Sequence, residues 1–150
     1  VNKSIRNIDG SQDIRVGDLV KVTIDIEKDK TGHSRRYRYI VIDDPLPAGL
    51  VAINSSIKTE EVVPENDEDS YTEDGARVLV PSFQEIRDDR VLIFRDSNIW
   101  DGKYQYSYYA RATTEGQFVL PSTKAQLMYS PQVMGLTPKS IVNIKASQIR

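Results

Sequence analysis

The sequence YQYSYYARATTEGQFVLP, residues 104–121, decides the fold of this 150-residue chain. Every second residue from Tyr104 to Ala112 is a tyrosine or an alanine, and polar residues fill most positions between them. A period of two is typical of a strand that turns one face toward a core. Gly116 can adopt positive φ without steric cost, and Pro121 ends the apolar run that follows. The segment therefore predicts a long strand and a short strand joined in a β-hairpin.

The same alternation runs through most of the chain. In residues 18–28 Leu19 stands apart, and the apolar residues Val20, Val22, Ile24 and Ile26 share one side of the predicted strand. In residues 140–145 one side has Val142 and Ile144, and the other has Ile141, Asn143 and Lys145. Residues 76–80 and 86–95 are predicted to pair with each other. We find no apolar stripe at helical spacing. The sequence predicts an all-β fold, an antiparallel β-sandwich of about seven to nine strands.

Length and composition indicate one domain, since 150 residues suffice to bury a core without cross-links. We expect residues 1–15 to form a linker or edge segment and residues 16–146 to form a single β-sandwich domain. The chain starts at Val1 in a polar stretch, without an initiator methionine. We therefore expect it to be a fragment of a larger protein.

Several classes of protein are excluded by composition. The chain has no cysteine, which excludes disulfides, cysteine-ligated zinc and thiol nucleophiles. Its formal net charge of −2 argues against a nucleic-acid partner, because nucleic-acid-binding proteins present a basic face. The longest apolar runs are strand-sized, far short of the ~20 residues of a membrane span, so none is predicted.

No arrangement of residues predicts catalysis. His33, the only histidine, lies in a polar turn, whereas a Ser-His-Asp site needs a histidine held between a nucleophile and an acid. Asp43 and Asp44 precede a proline and are predicted to cap a turn, and Asp88 and Asp89 have arginines on both sides. Neighbouring strand residues point to opposite faces, so neither pair can flank one substrate bond. We predict a protein without enzymatic activity or cofactor.

The acidic segment of residues 60–74 contains the best metal candidates. Glu65, Asp67 and Asp69 have the alternate spacing that calcium ligands often show. The segment lacks the glycine at the sixth position of a calcium loop. A solvated acidic loop is the alternative, and we predict no metal site.

The tyrosines allow two readings. An aromatic stripe at strand spacing is typical of a core, and the alternative is a platform on which sugars stack. Tyr109 has the opposite parity to its neighbours and is predicted to be exposed or at an interface.

Four segments, taken in order, resemble the C-terminal macroglobulin domain of bacterial α2-macroglobulins, the large thioester protease traps. That family shows a D-x-L-P-A-G turn, an R-D-D-R before a strand, an A-x-T-x-G-x-F segment with a following proline, and an M-Y-x-P near the end. The matching segments here are VGD at 16–18, VIDDPLPAGL at 41–50, RDDRV at 87–91, and YYARATTEG at 108–116 with Phe118, Pro121, Met128, Tyr129 and Pro131.

The resemblance implies a structural and interaction domain of a protease inhibitor. In such proteins the thioester lies in another domain, against which the C-terminal domain packs to shield it from water. By this analogy Met128, Tyr129 and Pro131 are the predicted interface, and Tyr109 is a further candidate. The implied partners are the thioester and other macroglobulin domains of the same polypeptide and, indirectly, proteases. The implied location is the periplasm or cell surface, reached through a signal in the missing N-terminal part. The alternative function is a cell-surface adhesin or carbohydrate-binding module.

Overall fold

A computed structural model of the chain describes residues 1–28, 37–53 and 71–148. These residues form 13 strands and no helix, which confirms an all-β fold. The number of strands exceeds the predicted seven to nine, because several are only two or three residues long. The strands are β1 (Asn2–Asn7), β2 (Ile14–Arg15), β3 (Leu19–Lys28), β4 (Ile40–Pro45), β5 (Leu50–Ala52), β6 (Arg77–Val78), β7 (Phe83–Ile86), β8 (Arg90–Arg95), β9 (Gly102–Ala112), β10 (Gly116–Leu120), β11 (Lys124–Leu127), β12 (Ser130–Leu136) and β13 (Ser140–Lys145).

The strands assemble into three sheets. Sheet 1 has the order β1-β3-β9-β5, with β6 also beside β9; sheet 2 has the order β12-β11-β4-β8-β7; sheet 3 has the order β10-β13-β2. All pairs are antiparallel except β6 with β9 and β13 with β2. The inner faces of the sheets share one apolar core, as expected for a β-sandwich.

The predicted faces are correct for the longest strands. The tyrosines Tyr104, Tyr106 and Tyr108 are buried in the core, which excludes them as a sugar platform. In β13 the buried residues are Val142 and Ile144, which share one side of the strand, while Ile141 on the other side is exposed. Alternation reports these faces correctly because only one side of each strand contacts the core.

The predicted hairpin within residues 104–121 is wrong. Strand β9 pairs with β3 on one side and with β5 and β6 on the other, so both of its edges are occupied. Strand β10 instead pairs with β13 in sheet 3. The glycine, Gly116 with φ of 140°, therefore begins a strand in a different sheet.

The predicted pairing of residues 76–80 with residues 86–95 is also wrong. Strand β8 has β4 and β7 as neighbours, while β6 runs parallel to β9. The turn between β7 and β8 holds Asp88 and Asp89, and the amide of Arg87 donates to the carbonyl of Arg90 at 2.8 Å. The strand that forms a hairpin with β8 is thus β7, which begins at Phe83 and is closer to β8 in sequence than the predicted partner, residues 76–80.

The first fifteen residues contribute β1 and β2. Strand β1 forms the edge of sheet 1 through six consecutive pairs with β3, from Asn2 opposite Asp25 to Asn7 opposite Val20. Strand β2 adds to the edge of sheet 3.

The turn at residues 46–49 connects β4 of sheet 2 to β5 of sheet 1 and packs closely against sheet 3. A Cβ atom on Gly49 would lie 2.5 Å from Cε2 of Phe118 and 2.6 Å from Cδ1 of Ile144. The carbonyl of Gly49 also accepts the amide of Thr113 at 2.9 Å. The close approach of these side chains is therefore the reason that glycine is required at position 49. Backbone conformation does not require it, because the φ of Gly49 is not in the left-handed region.

Candidate functional site

The exposed turn between β11 and β12, together with the start of β12, contains three of the four predicted interface residues. Tyr129 is 77% exposed and Met128 is 47% exposed, and Pro131 is also exposed at the start of β12. The register between β11 and β12 shifts at this turn, from Gln126 opposite Met134 to Leu127 opposite Ser130. Such an irregularity changes the direction of the side chains near the turn. The turn therefore presents an aromatic ring and a thioether to solvent.

Tyr39 supports this turn, and sequence reasoning did not identify it. Its ring packs edge-on against Tyr129 with centroids 5.2 Å apart, and its carbonyl accepts the amide of Met128 at 2.8 Å. The guanidinium of Arg38 lies 5.0 Å from the centre of the Tyr39 ring. We call the four residues Arg38, Tyr39, Met128 and Tyr129 the aromatic corner.

The backbone of Tyr39 is strained. Its φ of 58° makes it the one non-glycine residue with positive φ in the described part of the chain. For a bulky side chain the left-handed region is a genuine outlier, and outliers of this kind concentrate at functional sites. The sequence gives no signal of this, since residues 36–43 alternate regularly and Tyr39 falls on the same side as Tyr37 and Val41.

Tyr109 does not belong to the aromatic corner. It is exposed, as its parity predicts, but it lies on the outer face of sheet 1 opposite Lys21. The corner lies near the end of β3 at Lys28, which lines a cleft together with Leu127. Seven residues along β3 separate Lys21 from that end, which corresponds to about 24 Å. Tyr109 and the aromatic corner are therefore at different positions along the length of the sandwich.

The remaining predicted positions lie outside the described residues. These are the metal candidates Glu65, Asp67 and Asp69 and the histidine His33. Within residues 1–28, 37–53 and 71–148, no three acidic or histidine side chains cluster as metal ligands would. Over the same residues there is no helix that could span a membrane.

A cleft of about 210 Å³ lies beside β11 and β12. Its lining is mostly apolar and includes Ile26, Tyr37 and Met134. The ammonium group of Lys28, which also lines it, donates to Asp101 at 2.6 Å and lies 4.8 Å from the centre of the Tyr37 ring. This lysine is therefore engaged in holding the wall of the cleft.

Asp44 lies at the centre of a buried polar cluster, so its predicted role as a turn cap is wrong. Its side chain is fully buried on the inner face of β4. Its Oδ1 accepts Lys3 Nζ at 2.5 Å and Thr123 Oγ1 at 2.5 Å, and its Oδ2 accepts the hydroxyl of Tyr108. Lys3 also donates to the carbonyl of Pro45 at 3.0 Å. The prediction failed because the strand continues through Asp44 to Pro45, which directs the carboxylate inward.

The electrostatics of the cluster follow from burial. Desolvation lowers the pKa of Lys3, partly offset by the charge of Asp44 and the hydrogen bond to it. Desolvation, together with the same carboxylate, raises the pKa of Tyr108, which keeps its hydroxyl protonated as a donor. Each oxygen of Asp44 has a donor, and the four side chains come from sheets 1 and 2 and from the segment before β11. The cluster is a clamp between the sheets.

Comparison with known proteins gives a consistent result. The family model described as the bacterial alpha-2-macroglobulin MG10 domain matches residues 1–132. An alpha-2-macroglobulin homolog of Nostoc sp. is 32% identical over 99 residues, which cover 66% of this chain and 5% of that protein. The chain therefore spans only 5% of the length of this curated relative.

Solved structures share the fold. Trypsin-activated alpha-2-macroglobulin from Escherichia coli matches with a TM-score of 0.71 and 22% identity, over 96% of this chain and 10% of that one. Salmonella alpha-2-macroglobulin reacted with methylamine matches with a TM-score of 0.69 and 22% identity, over 96% of this chain and 9% of that one. In both, the matching domain is a small part of a much longer chain.

Proposed function

This chain belongs to the bacterial alpha-2-macroglobulin MG10 domain family, and from this premise we propose that it is a non-enzymatic structural and interaction domain of a protease-trapping inhibitor. In this proposal the domain packs against the domain that carries the thioester and shields that bond from water. Its partners are the thioester and other macroglobulin domains of the same polypeptide and, indirectly, the trapped proteases. Its location is the periplasm or the cell surface.

The aromatic corner is the observation that carries this proposal. An isolated domain gains nothing from exposing 77% of a tyrosine beside a residue held in a strained backbone conformation. Aromatic and methionine side chains are enriched in the cores of protein interfaces. Tyr129 and Met128 therefore fit a surface that is covered when a second domain docks. The Salmonella relative has been solved after reaction with methylamine, a small nucleophile suited to testing thioester protection.

The test uses the parent polypeptide with Tyr129→Ala and measures the rate at which methylamine releases a free thiol. Loss of one aromatic contact at an interface costs about 1–3 kcal/mol, so we expect thiol release to accelerate by about 5- to 150-fold. Tyr109→Ala is the matched control, since it removes an exposed tyrosine from the outer face of sheet 1.

Equal rates for parent, Tyr129→Ala and Tyr109→Ala would refute a shielding role for the corner. The absence of thiol release from the parent itself would mean that the polypeptide carries no reactive thioester. Covalent capture of trypsin by the parent, abolished by methylamine pretreatment, would establish the trapping activity.

A further inference from the structure

One end of the outer face of sheet 1 carries three cations and a tyrosine. The register places Arg6 opposite Lys21, and Lys21 opposite Tyr109. Arg111 follows Tyr109 by two residues on β9 and therefore lies on the same face. All four side chains are exposed. We call Arg6, Lys21, Tyr109 and Arg111 the basic patch.

The three cations of the basic patch form no ion pair with any residue that the structure describes. The guanidinium of Arg6 donates to the carbonyl of Gly10 at 3.4 Å, and that of Arg111 donates to the carbonyl of Gly17 at 2.8 Å. Like charges directly opposite each other on neighbouring strands destabilise a sheet, and Arg6 faces Lys21 in this way. An anionic partner would relieve that repulsion.

The carboxylates of the adjoining segment between β1 and β3 are engaged locally. Oδ1 of Asp9 accepts the amide of Ser11 at 2.7 Å. Oδ2 of Asp18 accepts the amide of Arg15 at 2.9 Å and the side-chain amide of Asn7 at 2.8 Å. These carboxylates therefore stabilise the segment itself and leave the positive charge of the basic patch facing solvent.

Exposed aliphatic side chains border the basic patch at the end of the sheet. The amide of Ile8 donates to the carbonyl of Leu19 at 3.2 Å, and Ile8 lies two residues beyond Arg6, so both side chains are on the outer face. Ile8 is 60% exposed, and Val51, opposite Arg111, is 43% exposed. Lysine and arginine beside aliphatic side chains are typical of surfaces that bind at a membrane interface, where tyrosine rings lie at the level of the headgroups.

The far end of the same face is acidic. Asp25 and Glu27 lie on β3 four and six residues beyond Lys21, which corresponds to about 13 Å and about 20 Å. The hydroxyl row between the two ends consists of Ser4, Thr23 and Ser107. This gradient of charge orients the domain at an anionic surface, with the basic patch toward the surface and the acidic end away from it.

We propose that the basic patch binds the anionic headgroups of a phospholipid bilayer, with Ile8 and Val51 in the interfacial layer. This contact is additional to the proposed function and lies away from the aromatic corner. The proposed location, the periplasm or the cell surface, places a bilayer within reach. The two aliphatic side chains favour a bilayer over an acidic polypeptide, because a purely electrostatic partner offers them no apolar environment.

Vesicle cosedimentation of the parent polypeptide tests the proposal. Vesicles of phosphatidylcholine and phosphatidylglycerol in equal amounts are compared with vesicles of phosphatidylcholine alone, and we expect the parent to bind the mixed vesicles more tightly. Each lysine or arginine near an anionic surface contributes about fivefold to binding. The triple variant Arg6→Gln, Lys21→Gln and Arg111→Gln should therefore bind the mixed vesicles about 100-fold more weakly than the parent.

The matched control is the triple variant Lys103→Gln, Lys124→Gln and Lys139→Gln, which removes the same charge from positions outside the basic patch. It should bind as tightly as the parent, which separates a local patch from an effect of net charge. Lys21→Gln alone is a second test variant. Because Lys21 is exposed, its replacement leaves the core intact, and it should weaken binding about fivefold.

The proposal is overturned if the parent binds both kinds of vesicle equally or binds neither. Equal binding by the two triple variants would also overturn it, because the position of the cations would then not matter. Binding of the parent to soluble poly-glutamate but not to the mixed vesicles, reduced in the patch variant, would assign the patch to an acidic polypeptide instead. The outcome is independent of the methylamine assay, since none of these variants changes the aromatic corner.

Discussion

Removing the charge of Asp44 while keeping its shape, by Asp44→Asn, is expected to destabilise the domain strongly. The substitution leaves the Lys3 ammonium, whose side chain is 2% exposed, without its counterion. Breaking a buried ion pair from one side costs about 3–5 kcal/mol. For a domain of this length 1 kcal/mol shifts the unfolding temperature by about 2–4 °C, so we expect the midpoint to fall by about 6–20 °C. Thermal unfolding followed by circular dichroism measures this.

Two further variants identify the cause. Asp13→Asn removes an ion pair with Lys145 of 2.7 Å whose side chains are 46% and 60% exposed, and we expect no measurable change in the midpoint. Adding Lys3→Met to Asp44→Asn removes the uncompensated charge, so the double variant should be more stable than Asp44→Asn alone. The reasoning would be refuted if Asp44→Asn behaved like Asp13→Asn, or if the double variant were less stable than the single one.

Three more predictions concern buried tyrosines, a close approach and a strained residue. Burial raises the pKa of both Tyr106 and Tyr108 above the ordinary 10.0. Their contribution to the free energy of unfolding is therefore complete below pH 10.0. Above that pH it is lost, by up to about 2.7 kcal/mol per pH unit for the two groups together. Lys3 acts in the opposite direction, because its lowered pKa makes the domain more stable as the pH rises toward 10.5. We therefore expect the urea midpoint of unfolding to fall clearly only above about pH 10.5. A midpoint that continues to rise above that pH would contradict this prediction. Gly49→Ala should lower the free energy of unfolding by about 1–3 kcal/mol, because its methyl group would lie 2.5 Å from the ring of Phe118. Gly135→Ala should cost less, since its methyl group would meet only a methyl group of the terminal residue Val1, at 2.6 Å. The opposite order in chemical denaturation would contradict this. Tyr39→Gly should be more stable than Tyr39→Ala by about 0.5–1 kcal/mol, since alanine retains the left-handed penalty, and equal stabilities would mean that φ of 58° stores no strain.

Recognition of the family depended on short motifs that have structural causes. The match of residues 1–132 to the MG10 family confirms the resemblance drawn from the turn at residues 43–50 and the segments that follow it. In that turn Gly49 is required by the side chains of sheet 3, and Asp44 is required by the clamp. The motif can therefore be recognised in the sequence, although the contacts that require its residues are seen only in the folded structure.

The strand pairings are where sequence reasoning failed. A long strand, three residues and a glycine predict a hairpin, but both edges of β9 already carry strands that are distant in sequence. Local signals cannot report this competition, because it depends on β3 and β5 arriving at the same strand. The proposed aromatic corner was found only in part for the same reason, since Tyr39 and Tyr129 are ninety positions apart.

The sequence by itself determined which side of each long strand faces the core, because alternation is a local property with a period of two. It thereby predicted the buried face of β9 and the exposure of Tyr109. Only the tertiary structure decided what Asp44 does, because its partners Lys3, Tyr108 and Thr123 lie 41, 64 and 79 positions away. Only the tertiary structure likewise aligned Met134, Gln126, Val41, Phe94 and Phe83 in one row across sheet 2, since each row combines single residues from several strands. Their alignment is set by the hydrogen-bonded register of the folded sheets.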